Sequence, residues 1–269
     1  MSFVYSEQDI AGACEGLARQ VAIEVVRETG STNADLMARL HALRGPVLLI
    51  AEKQTAGRGR AGRTWHMEPG KTLTFSLAWK FALPLAQLPG LSLVAGVSLA
   101  ETLAAWGIDA RLKWPNDVLK DGGKLAGILI EAAPEKDNPS HAAWAVIGIG
   151  LNLDASPALQ AQIGAPIAAA DSLPENRSFD RNRIVAALLN SLAKALVQFE
   201  DEGLSPFIER WNCLHAYAGK PVAILDHGNV LHRGRALGID HAGRFLLDTD
   251  EGQVAVMSGD VSLRLAEHA

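Results

Sequence analysis

The chain has 269 residues, 48% hydrophobic and 20% charged, with a formal net charge of −5. This length supplies a full core, as one large domain or a large one with a small one; no apolar run reaches the roughly 18 residues of a membrane span, and the broad basic face of a non-specific nucleic-acid binder is missing. Two cysteines, Cys14 and Cys213, cannot build a disulfide framework, and "MSFVYSEQDIAGACEG" lacks the basic flank and long apolar stretch of a secretory signal, so the expected setting is reducing and cytoplasmic.

In chain order, "VAIEVVRETG" is rich in β-branched residues and reads as a strand ended by Gly30. "STNADLMARLHAL" reads as a helix, with Thr32 and Asp35 at capping-box spacing and Leu36, Leu40 and Leu43 on one face. "PVLLIAEKQ" is a buried strand, and "KTLTFSLAWKF" alternates as another. Between them lies "TAGRGRAGRTW". "LSLVAGVSLAETLAAWG" is helical and stops at Gly107. "ARLKWPND", "KLAGILIEAA" and "AAWAVIGIGLNLD" read as three strands, the last two joined as a hairpin through "PEKDNPSH". Residues 154–179 read as loop with one short helix, followed by a long amphipathic helix capped by Asp180. From Gly219 five short strands, "PVAIL", "VLHRGRALGI", "RFLLD", "QVAVM" and "VSLRL", alternate with turn chemistry and predict a small barrel.

Gly57, Gly59 and Gly62 spell G-x-G-x-x-G, but a dinucleotide fingerprint opens a helix, and here Pro69, Gly70 and strand alternation follow. "GKT" at residues 70–72 resembles the end of a phosphate loop whose first glycine would be Trp65, so that match also fails. What remains is a glycine-rich lid carrying Arg58, Arg60 and Arg63, with no carboxylate in its own stretch. Arginine stays charged and grips phosphate or carboxylate with two hydrogen bonds, so such a lid can close over a polyphosphate or an acyl phosphate. The plain alternative, a solvated basic loop, is disfavoured by the two strands that bracket it. "KWPNDVLKDGGKLAGILIE" presents Asn116 and Asp117 at a strand end and Lys124 at the next strand's start. Asn can read a base or ribose edge, Asp can help hold Mg²⁺, and Lys can neutralise phosphate; an ordinary turn with solvated lysines is the competing reading. "GIGLNL" reads equally as a buried, glycine-kinked strand with Asn152 at its end. Cys213, His215, His227 and His232 are read as an accidental grouping and not a zinc set, so no metal site is assigned.

"STN", "AEKQTAGRGRAGRTW", "KWPNDVLKDGGKLAGILIE" and "VIGIGLNL", in this order, resemble the biotin–protein ligases (biotin–[acetyl-CoA-carboxylase] ligases), and "GKPVAIL" onward resembles their C-terminal domain. The likeness runs from about residue 20 to the end, with no departure at a motif position. It implies an α+β fold: a mixed sheet with helices, related to class II aminoacyl-tRNA synthetases, over residues 1–214, then an SH3-like barrel over 215–269. The implied reaction forms biotinyl-5′-AMP from biotin and ATP with Mg²⁺, then transfers biotin to a lysine of a biotin carboxyl carrier protein. By resemblance, Ser31, Thr32, Asn33, Gln54, Arg58, Gly59, Arg60, Lys124 and Gly127 bind biotin. Arg63, Trp65, Asn116, Asp117, Lys124 and Asn152 bind the nucleotide, and Lys124, Arg58 and Arg60 are catalytic. Mg²⁺ is implied without a dedicated protein site. About 30 residues before "STN" are too few for the helix-turn-helix of repressor members, so neither DNA nor a membrane is an expected partner; the enzyme is expected as a monomer or homodimer. A lipoate ligase or octanoyl transferase is the rival within the superfamily. A nucleic-acid-binding protein is the rival outside it, disfavoured by Asp226, Asp240, Asp248, Asp250, Glu251 and Asp260 in the barrel.

Overall fold

A computed structural model of the chain describes residues 4–154, 157–163, 166–170 and 180–268. A short helix α1 (Glu7–Ala13) precedes β1 (Ala22–Thr29), α2 (Thr32–Arg39), β2 (Val47–Gln54) and β3 (Thr72–Phe81). Helix α3 (Leu91–Ala105) leads to β4 (Arg111–Lys113), β5 (Asp117–Lys120), β6 (Gly123–Pro134) and β7 (Ala143–Asn152). Then come α4 (Pro157–Ile163), α5 (Arg181–Glu202) and α6 (Ser205–Leu214).

These strands form one mixed sheet in the order β1-β2-β3-β7-β6-β5-β4, parallel only between β1 and β2. β7 lies at its centre, and all ten of its residues are buried, which is why its sequence is apolar from Ala143 to Leu151, with the buried Asn152 at its end. Alternation along β2 divides the core: Leu48 and Ile50 join the main cluster with α3 and α5, while Val47 and Leu49 meet Leu36 and Leu40 of α2 on the other face. α3 is apolar all round because it is covered on several sides: it packs on β6, α5 and α6, and its Ser98 Oγ donates to Ser191 Oγ of α5 at 2.9 Å.

The remaining strands, β8 (Pro221–Asp226), β9 (Asn229–Ile239), β10 (Phe245–Thr249), β11 (Gly252–Val256) and β12 (Val261–Leu265), make the antiparallel barrel unit in the order β11-β10-β9-β8-β12. Its junction with the large sheet is dense. The buried Trp114 indole donates to Gly243 O at 3.2 Å and lies 5.5 Å from the Phe245 ring. Asn212 of α6 accepts from Ile239 N at 2.9 Å. His215 sits 4.9 Å from the Trp211 ring and 5.4 Å from Phe245, with both ring nitrogens buried and unpartnered among the described residues.

Asp180 caps α5 as expected, accepting from Asn182 N and Arg183 N. The expected short helix within 154–179 is α4, while residues 171–179 lie outside the described residues. One cap differs. Ser31, not Thr32, caps α2, accepting from Ala34 N at 3.4 Å. The Thr32 hydroxyl is engaged elsewhere, by Gln54 and Ser76. Helices α1 and α6 and the four-residue strand β5 are additions to the sequence expectation; α1 and β5 are too short to show a period of their own, while Phe207, Ile208 and Trp211 give α6 its buried face.

Candidate active site

A cleft of about 1070 Å³ opens between the large sheet, the loop 57–65 and the barrel. Its floor begins where β1 hands over to α2. The cap geometry turns Thr32 and Asn33 inward, where both are buried with Ser31. Thr32 N donates to Gln54 Oε1 at 2.8 Å, and Thr32 Oγ1 lies 2.7 Å from Ser76 Oγ on β3. Ser76 Oγ in turn donates to Asn33 Oδ1 at 2.5 Å, and Asn33 Nδ2 donates to Glu131 Oε2 on β6 at 3.0 Å. The floor is thus built of neutral side chains that are hydrogen-bonded to one another, as buried polar groups require, with the Gln54 NH₂ left over toward the cleft.

The basic loop is a tight hairpin. Trp65 N donates to Gly57 O at 2.9 Å and Gly59 N to Arg63 O at 2.7 Å. Gly57 is needed because a Cβ there would meet Trp65 O at 2.4 Å. Each anchor of the loop comes from a distant segment. Arg58 pairs with Glu131 at 3.0 Å, so the carboxylate missing from the local sequence is supplied by β6. Arg60 donates to Asn116 Oδ1 at 3.2 Å and to the Gly259 carbonyl in the turn before β12. Burial, with Arg63 as a second cation, lowers the Arg60 guanidinium from its ordinary value against the opposing pull of Asp117 and Asp260.

Lys124 faces the loop from the start of β6. Its ammonium is 2.5 Å from Asp117 Oδ1 and 5.6 Å from the centre of the Trp65 ring, within cation–π range. Asp117 is also held by Lys113 at 3.2 Å. Burial alone would raise its carboxyl, but Lys124 and Lys113 override that and leave it below the usual carboxylate range. Segment 166–168 brackets Lys124: its N donates to Pro166 O at 3.1 Å, and its O accepts from Ala168 N at 3.0 Å.

The glycines of "GIGLN" act by size, not by kinking the strand. A Cβ on Gly148 would stand 2.2 Å from Asn33 Oδ1, and one on Gly150 would stand 2.2 Å from the Trp65 indole. Gly127 sits under the same indole, with a Cβ position 3.0 Å from Trp65 and 3.3 Å from Lys124 Nζ.

Every sequence-predicted site residue but one lines this cleft: Ser31, Thr32, Asn33 and Gln54 on the floor, Arg58, Gly59, Arg60, Arg63 and Trp65 on the loop, and Asn116, Asp117, Lys124 and Gly127 opposite. Asn152 is the exception. It is buried behind the wall, donating to Lys124 O at 3.1 Å, with its Oδ1 unpartnered among the described residues. Sequence reasoning missed Ser76, Glu131 and the barrel's contribution at Gly259. A lone acid within the apolar strand "GILIEAA" and a buried hydroxyl within "LTFSLA" were the available signals.

A cationic lid and an ammonium facing a neutral, hydrogen-bonding floor, on a mixed α+β sheet, define an enzyme that brings anionic groups together. The comparisons give the family. Residues 22–152 match the biotin/lipoate A/B protein ligase family, and residues 217–264 match the biotin protein ligase C-terminal domain. The bifunctional ligase/repressor BirA of Escherichia coli is 37% identical over 246 residues, 91% of this chain and 75% of that protein. The biotin–[acetyl-CoA-carboxylase] ligase of Mycobacterium tuberculosis is 36% identical over 257 residues, 89% of this chain and 88% of that one. The solved biotin protein ligase from Aquifex aeolicus, in complex with biotin and ATP, superposes with a TM-score of 0.74 at 28% identity, covering 91% of this chain and 99% of that one. The chain belongs to the biotin/lipoate A/B protein ligase family, in its biotin protein ligase branch.

Proposed function

We propose that this enzyme activates biotin with ATP as biotinyl-5′-AMP, releasing pyrophosphate, and transfers the biotinyl group to a lysine of a biotin carboxyl carrier protein of acetyl-CoA carboxylase. The observation that carries this reading is the convergence of Arg58, Arg60, Arg63 and Lys124 on one cleft whose floor is neutral and polar. A carboxylate and a triphosphate repel each other, and fixed cations where they meet remove that barrier. The carboxylate oxygen attacks the α-phosphorus, the bond to pyrophosphate breaks, and Lys124 and Arg60 balance the charge in flight. The acceptor amine then attacks the acyl carbon and AMP leaves with the bonding pair.

Ser31, Thr32, Asn33 and Gln54, with Gly59 and Gly127, hold the biotin ring, whose urea needs neutral donors and acceptors; Arg58 steadies the loop over it. Arg63, Trp65, Asn116 and Asp117 serve the nucleotide side, and Asn152 acts there by positioning Lys124. Mg²⁺ arrives with the ATP phosphates. Both Asp117 oxygens are already ion-paired with lysines, and no three His, Cys, Asp or Glu side chains converge among the described residues, so these residues do not fit a resident metal. The division into 1–214 and 215–269 is supported by α6 ending at Leu214 and the barrel's first strand starting at Pro221. A cytoplasmic setting is supported by two unpaired cysteines, one buried and one exposed.

ATP–pyrophosphate exchange tests the reading. Exchange should depend on biotin and not on lipoate or octanoate, and a carrier protein should then become labelled at one lysine. Exchange that follows lipoate, with biotin inert, would move the enzyme to the other branch of the family.

A further inference from the structure

A chain of side-chain hydrogen bonds runs from Glu131, which lies behind the cleft wall, through Asn33 and Ser76 to the Thr32 hydroxyl on the floor. We infer that Glu131 is a positioning residue that sets the donor–acceptor direction across this floor and so its complementarity to a cyclic urea. The inference rests on the biotin reading above.

A carboxylate paired with a guanidinium accepts hydrogen bonds only. Glu131 is so paired with Arg58, at 3.0 Å. Asn33 must therefore turn its NH₂ toward Glu131, at 3.0 Å, with the Leu129 carbonyl a weaker second acceptor at 3.5 Å. That leaves Asn33 Oδ1 facing Ser76, whose proton is committed to it across 2.5 Å. Ser76 Oγ then offers Thr32 only lone pairs, so Thr32 donates across 2.7 Å. The longer Thr32 Oγ1–Gln54 Oε1 approach, 3.2 Å, competes for the same proton and loses. Gln54 Oε1 is taken by Thr32 N at 2.8 Å, which leaves Gln54 Nε2 free to donate. The cleft therefore meets its ligand with an acceptor at Thr32, directed by the chain from Glu131, beside a donor at Gln54, directed by the Thr32 backbone N–H. A cyclic urea carries N–H donors and a carbonyl acceptor, the complementary set. Gly148 lets this network close, since a side chain there would strike Asn33 Oδ1.

Glu131→Gln keeps the shape and removes the direction, because an amide can present either face. Its biotin KM in pyrophosphate exchange should rise about tenfold or more, the scale of a hydrogen bond to a charged group, with ATP KM and kcat within about threefold. Ser76→Ala, which breaks the chain one link on, should do the same, and the double variant should be no worse than either single, as coupled sites behave. Arg58→Met, which keeps Glu131 and Asn33, separates direction from loop anchoring. If Arg58→Met reproduces Glu131→Gln and the latter adds nothing in its background, the direction-setting role is overturned. An unchanged biotin KM in Glu131→Gln overturns it too; should that variant not fold, an unchanged KM in Ser76→Ala does so. If the wild-type enzyme shows no biotin-dependent exchange at all, the parent reading fails instead.

Discussion

Lys124 has two neighbours with opposite claims on it: Asp117 at 2.5 Å and the cleft, to which a good part of its side chain is open. In the ligand-free enzyme the ion pair holds the ammonium at the cleft wall, where incoming carboxylate and phosphate can compete for it. Lys124→Ala should lower biotin-dependent pyrophosphate exchange by about 10²–10³-fold, the usual cost of losing one preorganised electrostatic partner. It should still fold, since Lys113 keeps Asp117 paired; exchange at near wild-type rate would remove Lys124 from the chemistry. Gly150 is the complementary case, a residue whose contribution is the absence of a side chain. Gly150→Ala puts a methyl 2.2 Å from the Trp65 indole, backed by the fully buried β7, so the indole must give way. A stability loss of about 1–3 kcal/mol by chemical denaturation, with a raised ATP KM, is the expected result.

At the scale of elements, the loop 57–65 is the part whose state ligands should change. Its backbone closes on itself through two hydrogen bonds, at Gly57 and Gly59, which together make the Arg58–Thr64 bridge, while its outward anchors are few: Glu131 for Arg58, and Asn116 and Gly259 for Arg60. Three like charges in a glycine-rich stretch repel and are costly to order, and an anionic ligand offsets both penalties. Trypsin should therefore cut the free enzyme first between residues 58 and 63, leaving pieces of roughly 60 and 210 residues. Biotin should slow this cut, and biotin with Mg-ATP should slow it further. Equal cleavage in all three conditions would return the loop to a solvated surface feature.

Across the whole molecule, the barrel and the large sheet share a buried aromatic junction built on Trp114, Trp211, Phe245 and His215. Burial there, and secondarily Lys220, pushes the His215 pKa from 6.5 down to about 4. The folded state thus holds His215 neutral, while the unfolded chain binds a proton below pH 6.5. Stability from this group is full above pH 6.5 and falls as pH drops, until near pH 4 the folded histidine protonates as well. The span is about 3 kcal/mol. Denaturant unfolding at pH 4.5 and 7.5 should show His215→Phe losing less stability on acidification than the wild type, by about 2–3 kcal/mol. Parallel curves for the two proteins would mean that the junction opens to water.

Features that depend on neighbours a few residues apart are written in the chain itself. The strands β2 and β3, the period of α5, the turn chemistry between barrel strands, the Asp180 cap and the rejection of a dinucleotide loop were all legible, because local composition and backbone preference decide them, although β3 is buried on both faces where alternation was expected. The resemblance to biotin–protein ligases, carried by the order of the motifs, implied one site for Ser31 to Asn33, the arginine loop and Lys124, and all of them line the one cleft. Which group faces which is a matter of the assembled fold. Glu131 lies 73 residues from Arg58 and Ser76 lies 43 residues from Asn33, distances over which no periodicity carries a signal. The same is true of Gly148 and Gly150, which read as kinks in a buried strand in sequence but are vacant space for Asn33 and Trp65 in the fold. The use of Thr32 as a floor group and not a cap has the same origin. Its hydroxyl can satisfy either role, and the choice was made by Ser76 arriving from another strand at 2.7 Å. Hydrogen bonds and close packing are settled by contact, and these contacts exist only once the sheet has been assembled.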